Sequence, residues 1–252
     1  MCQFTLSSIN TRNREDSRRG RIVNAEFEQP EQRSGRQRQF VSDAAHELRT
    51  PLTALRVRIE EALMYPEDID PQTIFEQALH ETERLQAVVE DLLLLARLGT
   101  ASAICHEPIN LSSMISAQTR HRNTKHMLTH LEQGVHVRGI PAQLNRLVAA
   151  LLDNAERHAD STIKVELLHS NERAWLTVTD DGPGIPIPSR EHVFERFSRL
   201  DSARSRDTGG KGLGLAIARG IAITHDGSLT VEDSPCGARF VLQIPLLQAD
   251  ST

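Results

Sequence analysis

Two amphipathic helix patterns in direct succession constrain this chain more than any other feature. From about Gln37 to Met64, residues Val41, Ala44, Leu48, Leu52, Leu55 and Ile59 fall in one stripe at about 100° per residue. Tyr65-Pro66 ends that pattern, and Pro66 to Pro71 reads as a short acidic turn. A second stripe follows through Ile74, Ala78, Leu85, Val88, Val89, Leu92 and Leu95, and stops at Gly99. Two long helices with so short a connection form an antiparallel hairpin. A hairpin alone cannot cover both stripes, whereas two copies paired into a four-helix bundle can, so a homodimer is expected.

The remainder reads as a mixed α/β unit. A helix is predicted around Leu111 to Ala117, then short strands near Met127 to Leu131 and Val135 to Arg138. Ala142 to His158 is helical, with Leu144, Leu147, Val148, Leu151 and Leu152 on its apolar side. Thr162 to Leu168 and Ala174 to Thr179 alternate like strands of one sheet. Glycine-rich loops surround a helix from about Leu213 to Thr224, and Leu229 to Val231 with Ala238 to Ile244 close the unit as a β pair. Residues 1–36 are polar and arginine-rich, interrupted by Gly20, Pro30 and Gly35, and read as linker or disorder. The expected division is therefore 1–36 linker, 37–99 helical hairpin and 104–252 α/β domain.

Composition removes several function classes. The balance of 29 basic against 34 acidic residues leaves a net charge of −5, which gives no support to nucleic-acid binding. Cys2, Cys105 and Cys236 are few, odd in number and widely spaced, so neither a zinc site nor a disulfide framework is expected. Free thiols in a reducing cytosol are the plain reading. No apolar run reaches the length of a membrane helix, and no signal-peptide pattern opens the chain. A cytoplasmic, soluble protein is the expectation.

Four strings carry chemistry. The first is FVSDAAHELRTPL, Phe40 to Leu52. His46 lies well around the helix from the apolar stripe and should face solvent, with Thr50 one turn later on the same face. A neutral imidazole is a good nucleophile near pH 7, and a carboxylate such as Glu47, accepting the other ring proton, raises its basicity. Pro51 cannot donate to the Glu47 carbonyl, so a kink is expected beside the pair. HExxH, the zinc-protease pattern, is not matched, because Thr50 stands in the last position.

The second string, LLDNAERH from Leu151 to His158, places Asn154 on the polar side of a helix, where its amide oxygen could hold Mg²⁺. Arg157 and His158 could contact phosphates from the following turn. The third, VTDDGPGIP from Val178 to Pro186, sets Asp180, Gly182 and Gly184 directly after a strand. A carboxylate there could accept from an exocyclic amine, and the glycines would let backbone approach a ring closely. The fourth, GGKGLGL from Gly209 to Leu215, opens the backbone at Gly210, Lys211, Gly212, Leu213 and Gly214 just before a helix, a phosphate-holding arrangement. It is not a P-loop. Between the last two, VFERFSRL supplies Phe194 and Phe197 as anchors and Arg196 and Arg199 as candidates for stabilising γ-phosphate charge. Taken singly, each string is also compatible with an ordinary surface turn or helix.

In order and spacing, these strings resemble the H, N, first glycine, F and second glycine boxes of two-component sensor histidine kinases, over about Arg38 to Pro245. The wording DAAHELRTPLTALR is especially similar to the class with a HisKA-type dimerisation domain. The resemblance implies a Bergerat-type α/β sandwich binding ATP and Mg²⁺ through Asn154, Arg157, His158, Asp180, Gly182, Gly184, Arg196, Arg199, Gly210, Lys211, Gly212, Leu213 and Gly214. It implies that His46 attacks the γ-phosphate with Glu47 as general base, and that the phosphoryl group passes to an aspartate of a response regulator. Thr50 matches the position that directs water for dephosphorylating that regulator. One departure stands at Ala150, where many relatives carry a second Asn. Two other readings remain open from sequence: an ATPase of the same fold doing mechanical work, and a degenerate scaffold that binds a regulator through its helices.

Overall fold

A computed structural model describes residues 30–65, 70–98, 106–120, 122, 124–170, 172–198 and 212–247, and the linker expected over residues 1–29 lies outside these. It falls into two compact units, 1–46 and 47–252. The first helix, α1, runs Pro30–Met64 and continues through Pro51. It starts at Pro30, earlier than the helical pattern expected from about Gln37. Proline is pre-organised for a first helical position, and the Glu, Gln and Arg residues that follow are good helix formers. Gly35 inside that stretch weakens the helix without ending it.

Helix α2, Pro71–Leu98, begins on a cap. The Asp70 carboxylate accepts from the backbone N–H of Thr73 at 3.3 Å and from its hydroxyl at 3.1 Å. Pro71 sits at the first helical position, where no N–H is needed. Ala54 and Arg58 of α1 line one shallow hollow with Thr73, Gln77 and His80 of α2, so the helices lie side by side. Within the single chain, part of the first predicted stripe stays uncovered, with Val41 62% exposed, Leu52 57% and Ile59 44%, and so do Phe75 (72%) and Leu79 (60%), which lie outside the predicted second stripe. Toward its end, α2 meets the α/β domain. Asp91 is buried and ion-paired with Arg146, and Leu98 lies where a Cβ on Gly220 would be only 3.0 Å away.

The α/β domain opens with a small antiparallel pair, β1 (Glu107–Asn110) with β3 (His136–Gly139). Strand β1 has no counterpart in the sequence-based reading, being four residues long with one buried position. Helix α3 (Leu111–Arg120) follows it, with its first turn capped by the Asn110 side chain accepting from Ser113 N–H at 2.9 Å. The main sheet has the order β2-β4-β5-β7-β6, from β2 (His126–Leu131), β4 (Thr162–Ser170), β5 (Arg173–Asp180), β6 (Ser228–Glu232) and β7 (Arg239–Pro245). Only β2 and β4 run parallel. In β4, Ile163, Val165 and Leu167 are fully buried while Lys164 and Leu168 are exposed, so one face of the sheet is covered. Helices α4 (Pro141–His158) and α5 (Gly214–Thr224) supply the cover, through Leu144, Leu147, Leu151, Ile217 and Ile221.

A buried histidine joins these layers. At the end of α5, His225 is 4% exposed; its Nδ1–H donates to the Ile221 carbonyl at 2.8 Å, and its Nε2 accepts from Ile140 N–H at 3.1 Å. Gly139 is glycine because a Cβ there would approach the His225 ring at 2.7 Å. Both ring nitrogens are thus used by the neutral form. Burial, and secondarily His106, whose ring centroid stands 5.3 Å away, hold the pKa below the usual imidazole value; the Ile221 carbonyl and Asp226 oppose this. The unfolded chain therefore binds a proton first as pH falls, and the stability His225 contributes is complete above about pH 6.5 and lost below it. Thermal unfolding between pH 7.5 and 5.5 should show a loss of stability for this group, with about 1.4 kcal/mol per pH unit as its upper limit. His225→Gln, which keeps an acceptor and a donor without titrating, should flatten that slope; an unchanged slope would show that His225 stays protonated or unlinked.

Candidate functional site

The end of β5 and the end of α4 meet at one carboxylate. Asp180 is 3% exposed. Its Oδ1 accepts from Gly182 N–H at 3.0 Å and Ala238 N–H at 3.1 Å, while its Oδ2 is buried and has no partner among the described residues. A buried acceptor without a donor is costly, so this atom has room for a donor that the described residues do not supply. Burial pushes the Asp180 pKa up, opposed by the two backbone N–H groups and by His158. The neighbouring Asp181 turns the other way. It accepts from the Ser161 hydroxyl at 2.6 Å and from the backbone N–H groups of Ser161 and Thr162, which hold its carboxyl well below the usual carboxylate range.

The glycines of this loop leave room for the chain's own backbone. A Cβ on Gly182 would collide with the His158 carbonyl, and one on Gly184 (φ +72°) would stand 2.9 Å from the Gly237 carbonyl. Gly237 (φ +64°) in turn presses on the Asp180 carbonyl. The turn between β6 and β7 is therefore part of the site, and Gly237 and Ala238 escaped the sequence reading. Their one sequence signal is a glycine in a short turn between strands, which does not say which loop it will meet.

Along α4, Asn154 is half-buried and Arg157 and His158 are exposed. Partial burial and Arg157 hold the His158 pKa below its ordinary value, against the pull of Asp180. Asp153 and Glu156 are engaged elsewhere, both by Arg122, at 2.6 and 2.7 Å. One turn before Asn154, Ala150 faces the start of α5: a Cβ on Gly214 would lie 3.7 Å from its own. That is ordinary contact, so packing does not require glycine at 214. A bare backbone at the mouth of α5 fits a group that approaches from outside, such as a phosphate. Gly212 differs: at φ +66° its Cβ would strike Phe197, whose N–H donates to the Gly212 carbonyl at 2.8 Å. Leu213 is fully buried. Phe194 is buried against Phe240 edge to face, Phe197 is half-buried and Arg196 exposed. Arg199, Gly210 and Lys211 lie outside the described residues.

The structure thus brings Asp180, Gly182, Gly184 and His158 together, and Gly214 together with the Ala150–Asn154 face of α4. On α1, His46 and Thr50 are exposed and Glu47 is half-buried. Among the described residues, no helix is long and apolar enough to cross a membrane.

Comparison with known proteins finds two family matches along the chain. Residues 36–101 match the family described as the His Kinase A (phospho-acceptor) domain. Residues 139–248 match the histidine kinase-, DNA gyrase B- and HSP90-like ATPase family. The sensor protein RstB of Escherichia coli is 40% identical over 220 residues, covering 83% of this chain and 49% of that protein. The probable sensor histidine kinase TcrY of Mycobacterium tuberculosis is 37% identical over 219 residues, with 83% and 46% covered. The chain thus spans about half the length of the curated relatives it matches. Among solved structures, a mycobacterial sensor histidine kinase, MprB, aligns at 30% identity and a TM-score of 0.50, over 57% of this chain and 99% of that one. The Acinetobacter baumannii histidine kinase AdeS shares the fold at a TM-score of 0.65 and 22% identity, over 81% and 98%. With a phosphoacceptor helix, an ATPase sandwich and these relatives in one chain, the protein belongs to the two-component sensor histidine kinases.

Proposed function

We propose that this chain is an ATP-dependent protein-histidine kinase that phosphorylates its own His46 and passes the phosphoryl group to an aspartate on the receiver domain of a response regulator. In this reading residues 37–99 are the dimerisation and phosphotransfer domain, and 104–252 the ATP-binding domain. The observation that carries it is the unpartnered, buried Oδ2 of Asp180. It is an acceptor for which the described residues supply no donor, and the exocyclic amine of adenine is one. The backbone from Gly212 to Gly214, bare at Gly214 and with Gly210 and Lys211 before it in sequence, receives the phosphates. Arg157, His158, Arg196 and Arg199 add positive charge or hydrogen-bond donors where negative charge gathers. Asn154 offers its amide oxygen to Mg²⁺, which would neutralise phosphate charge when bound.

In the transfer, one ring nitrogen of His46 forms a bond to the γ-phosphorus. The bond from that phosphorus to the bridging oxygen breaks, and ADP leaves with the electron pair. Glu47 takes the proton from the other ring nitrogen, which keeps the imidazole nucleophilic and leaves a neutral phosphoimidazole. Thr50, one turn on, is proposed to direct water onto the phosphorylated regulator, giving a phosphatase activity as well. Exposed Leu52, Ile59, Leu63, Phe75, Leu79 and Leu93 support a homodimer closed through the hairpins. The proposed location is the cytoplasm, where ATP and response regulators occur.

Incubation with γ-labelled ATP and Mg²⁺ should give an acid-labile, alkali-stable label on the wild type that His46→Ala abolishes. A label surviving that substitution would overturn the site, and a wild type that hydrolyses ATP without becoming labelled would favour the ATPase reading. Asp180→Asn retains an oxygen for Gly182 and Ala238 but sets a donor against the adenine amine. It should weaken ATP binding by roughly tenfold or more, as expected for an unpaired buried polar group, with a much smaller change in unfolding temperature. Equal affinity for ATP in calorimetry would remove Asp180 from the nucleotide site.

A further inference from the structure

The segment that leaves the Asp180 loop and ends at Phe197 has little backbone to hold it. Between Pro186 and Ser198 it forms two short 3-10 turns, Ile187–Ser189 and His192–Phe194. Its described backbone hydrogen bonds close within itself: Ser189 to Pro186, Arg190 to Ile187, Phe194 to Glu191, Glu195 to His192 and Ser198 to Glu195. The exception is Phe197 N–H to the Gly212 carbonyl. The segment belongs to no sheet, so side chains must set its place. Arg190 is one tie, donating to Ile185 O at 3.4 Å and pairing with Asp233 at 2.8 Å.

Another tie comes from α5. Arg219 projects onto the second 3-10 turn and meets it twice. Its Nη1 donates to the Glu191 carboxylate at 2.7 Å, and its guanidinium carbon stands 4.8 Å above the Phe194 ring centroid. Phe194 is buried and packs edge to face on Phe240 of β7, with ring centroids 6.2 Å apart. A planar guanidinium can stack on a ring and fork to a carboxylate at the same time, and an ammonium cannot. Arg219 thus links the helix whose first residue, Gly214, opens toward the Ala150–Asn154 face to the segment that carries Arg196 and Phe197.

Building on the kinase reading above, we propose that Arg219 is a positioning residue for nucleotide handling. It touches no substrate; it fixes the Glu191–Phe197 segment against α5, so that Arg196 and the Phe197–Gly212 junction keep their place beside the phosphate-facing backbone. The Glu191 carboxylate is 74% exposed, so the ion pair alone is screened by solvent and the stacked geometry on Phe194 carries the larger share.

The test uses the whole chain and reads three quantities together: KM for ATP, kcat of autophosphorylation and unfolding temperature. For Arg219→Ala, KM should rise about five- to tenfold while kcat changes less than about twofold and the unfolding transition stays cooperative. Arg219→Lys should recover part of that loss, and Glu191→Gln, which removes only the exposed charge, should raise KM about twofold or less. A wild-type KM in Arg219→Ala, or a KM that rises only as the folded fraction falls, would overturn the positioning role and leave the kinase reading standing. Absence of ATP binding by the wild type, measured first by calorimetry with a non-hydrolysable ATP analogue, would overturn both.

Discussion

A carboxylate placed almost entirely out of water, with one oxygen satisfied and one not, organises the α/β domain. For Oδ1 of Asp180 to receive two backbone N–H groups, the loop after β5 and the turn between β6 and β7 must both come within hydrogen-bond reach. They do so only because Gly182, Gly184 and Gly237 lack side chains, each at a backbone contact a Cβ would obstruct. The same packing brings the end of α4 to the loop, since Gly182 rests on the His158 carbonyl. Geometry that holds one oxygen in place also withholds a donor from the other. Such a site keeps a desolvation cost that a ligand with the right amine relieves.

Much of this was legible in the sequence, because the main elements announce themselves by period. The stripe on α4, from Leu144 to Leu152, is buried as its spacing predicts, and β4 alternates as read. What stayed hidden has a common physical character. Strand β1 is too short for a period, and its pairing with β3 is a long-range choice that no local pattern encodes. The early start of α1 at Pro30 was obscured because polar residues with a glycine among them look alike in helix and in linker. At Gly182 and Gly184 the sequence shows that a side chain is absent, not that the His158 and Gly237 carbonyls are among the surfaces that need it absent. Arg219 has no motif of its own, and its contacts depend on a fold that brings α5 beside a segment about two dozen positions earlier.

The two parts of the chain handle apolar surface in opposite ways. The α/β domain covers most of its own, as shown by the fully buried Ile163, Leu176, Ile217 and Phe240, while Leu168, Ile187 and Ile223 stay exposed. The hairpin leaves large side chains such as Phe75 and Leu63 in water. The apolar area of the first is mostly settled within one chain, whereas that of the second calls for a surface from elsewhere.

The ion pair between Asp91 and Arg146 bears on how far these domains are interchangeable parts. The family matches divide the chain at 101 and 139, yet Asp91 is buried with a partner that belongs to the ATPase side, and Leu98 rests where only Gly220 leaves room. The seam of packing therefore does not coincide with the seam of homology. A chimera that took its hairpin from one relative and its ATPase domain from another would strand a buried carboxylate, or drive a side chain at position 220 into Leu98, unless these positions travelled together. Modularity in this chain is a property of matched surfaces, and the covalent boundary between domains does not define it.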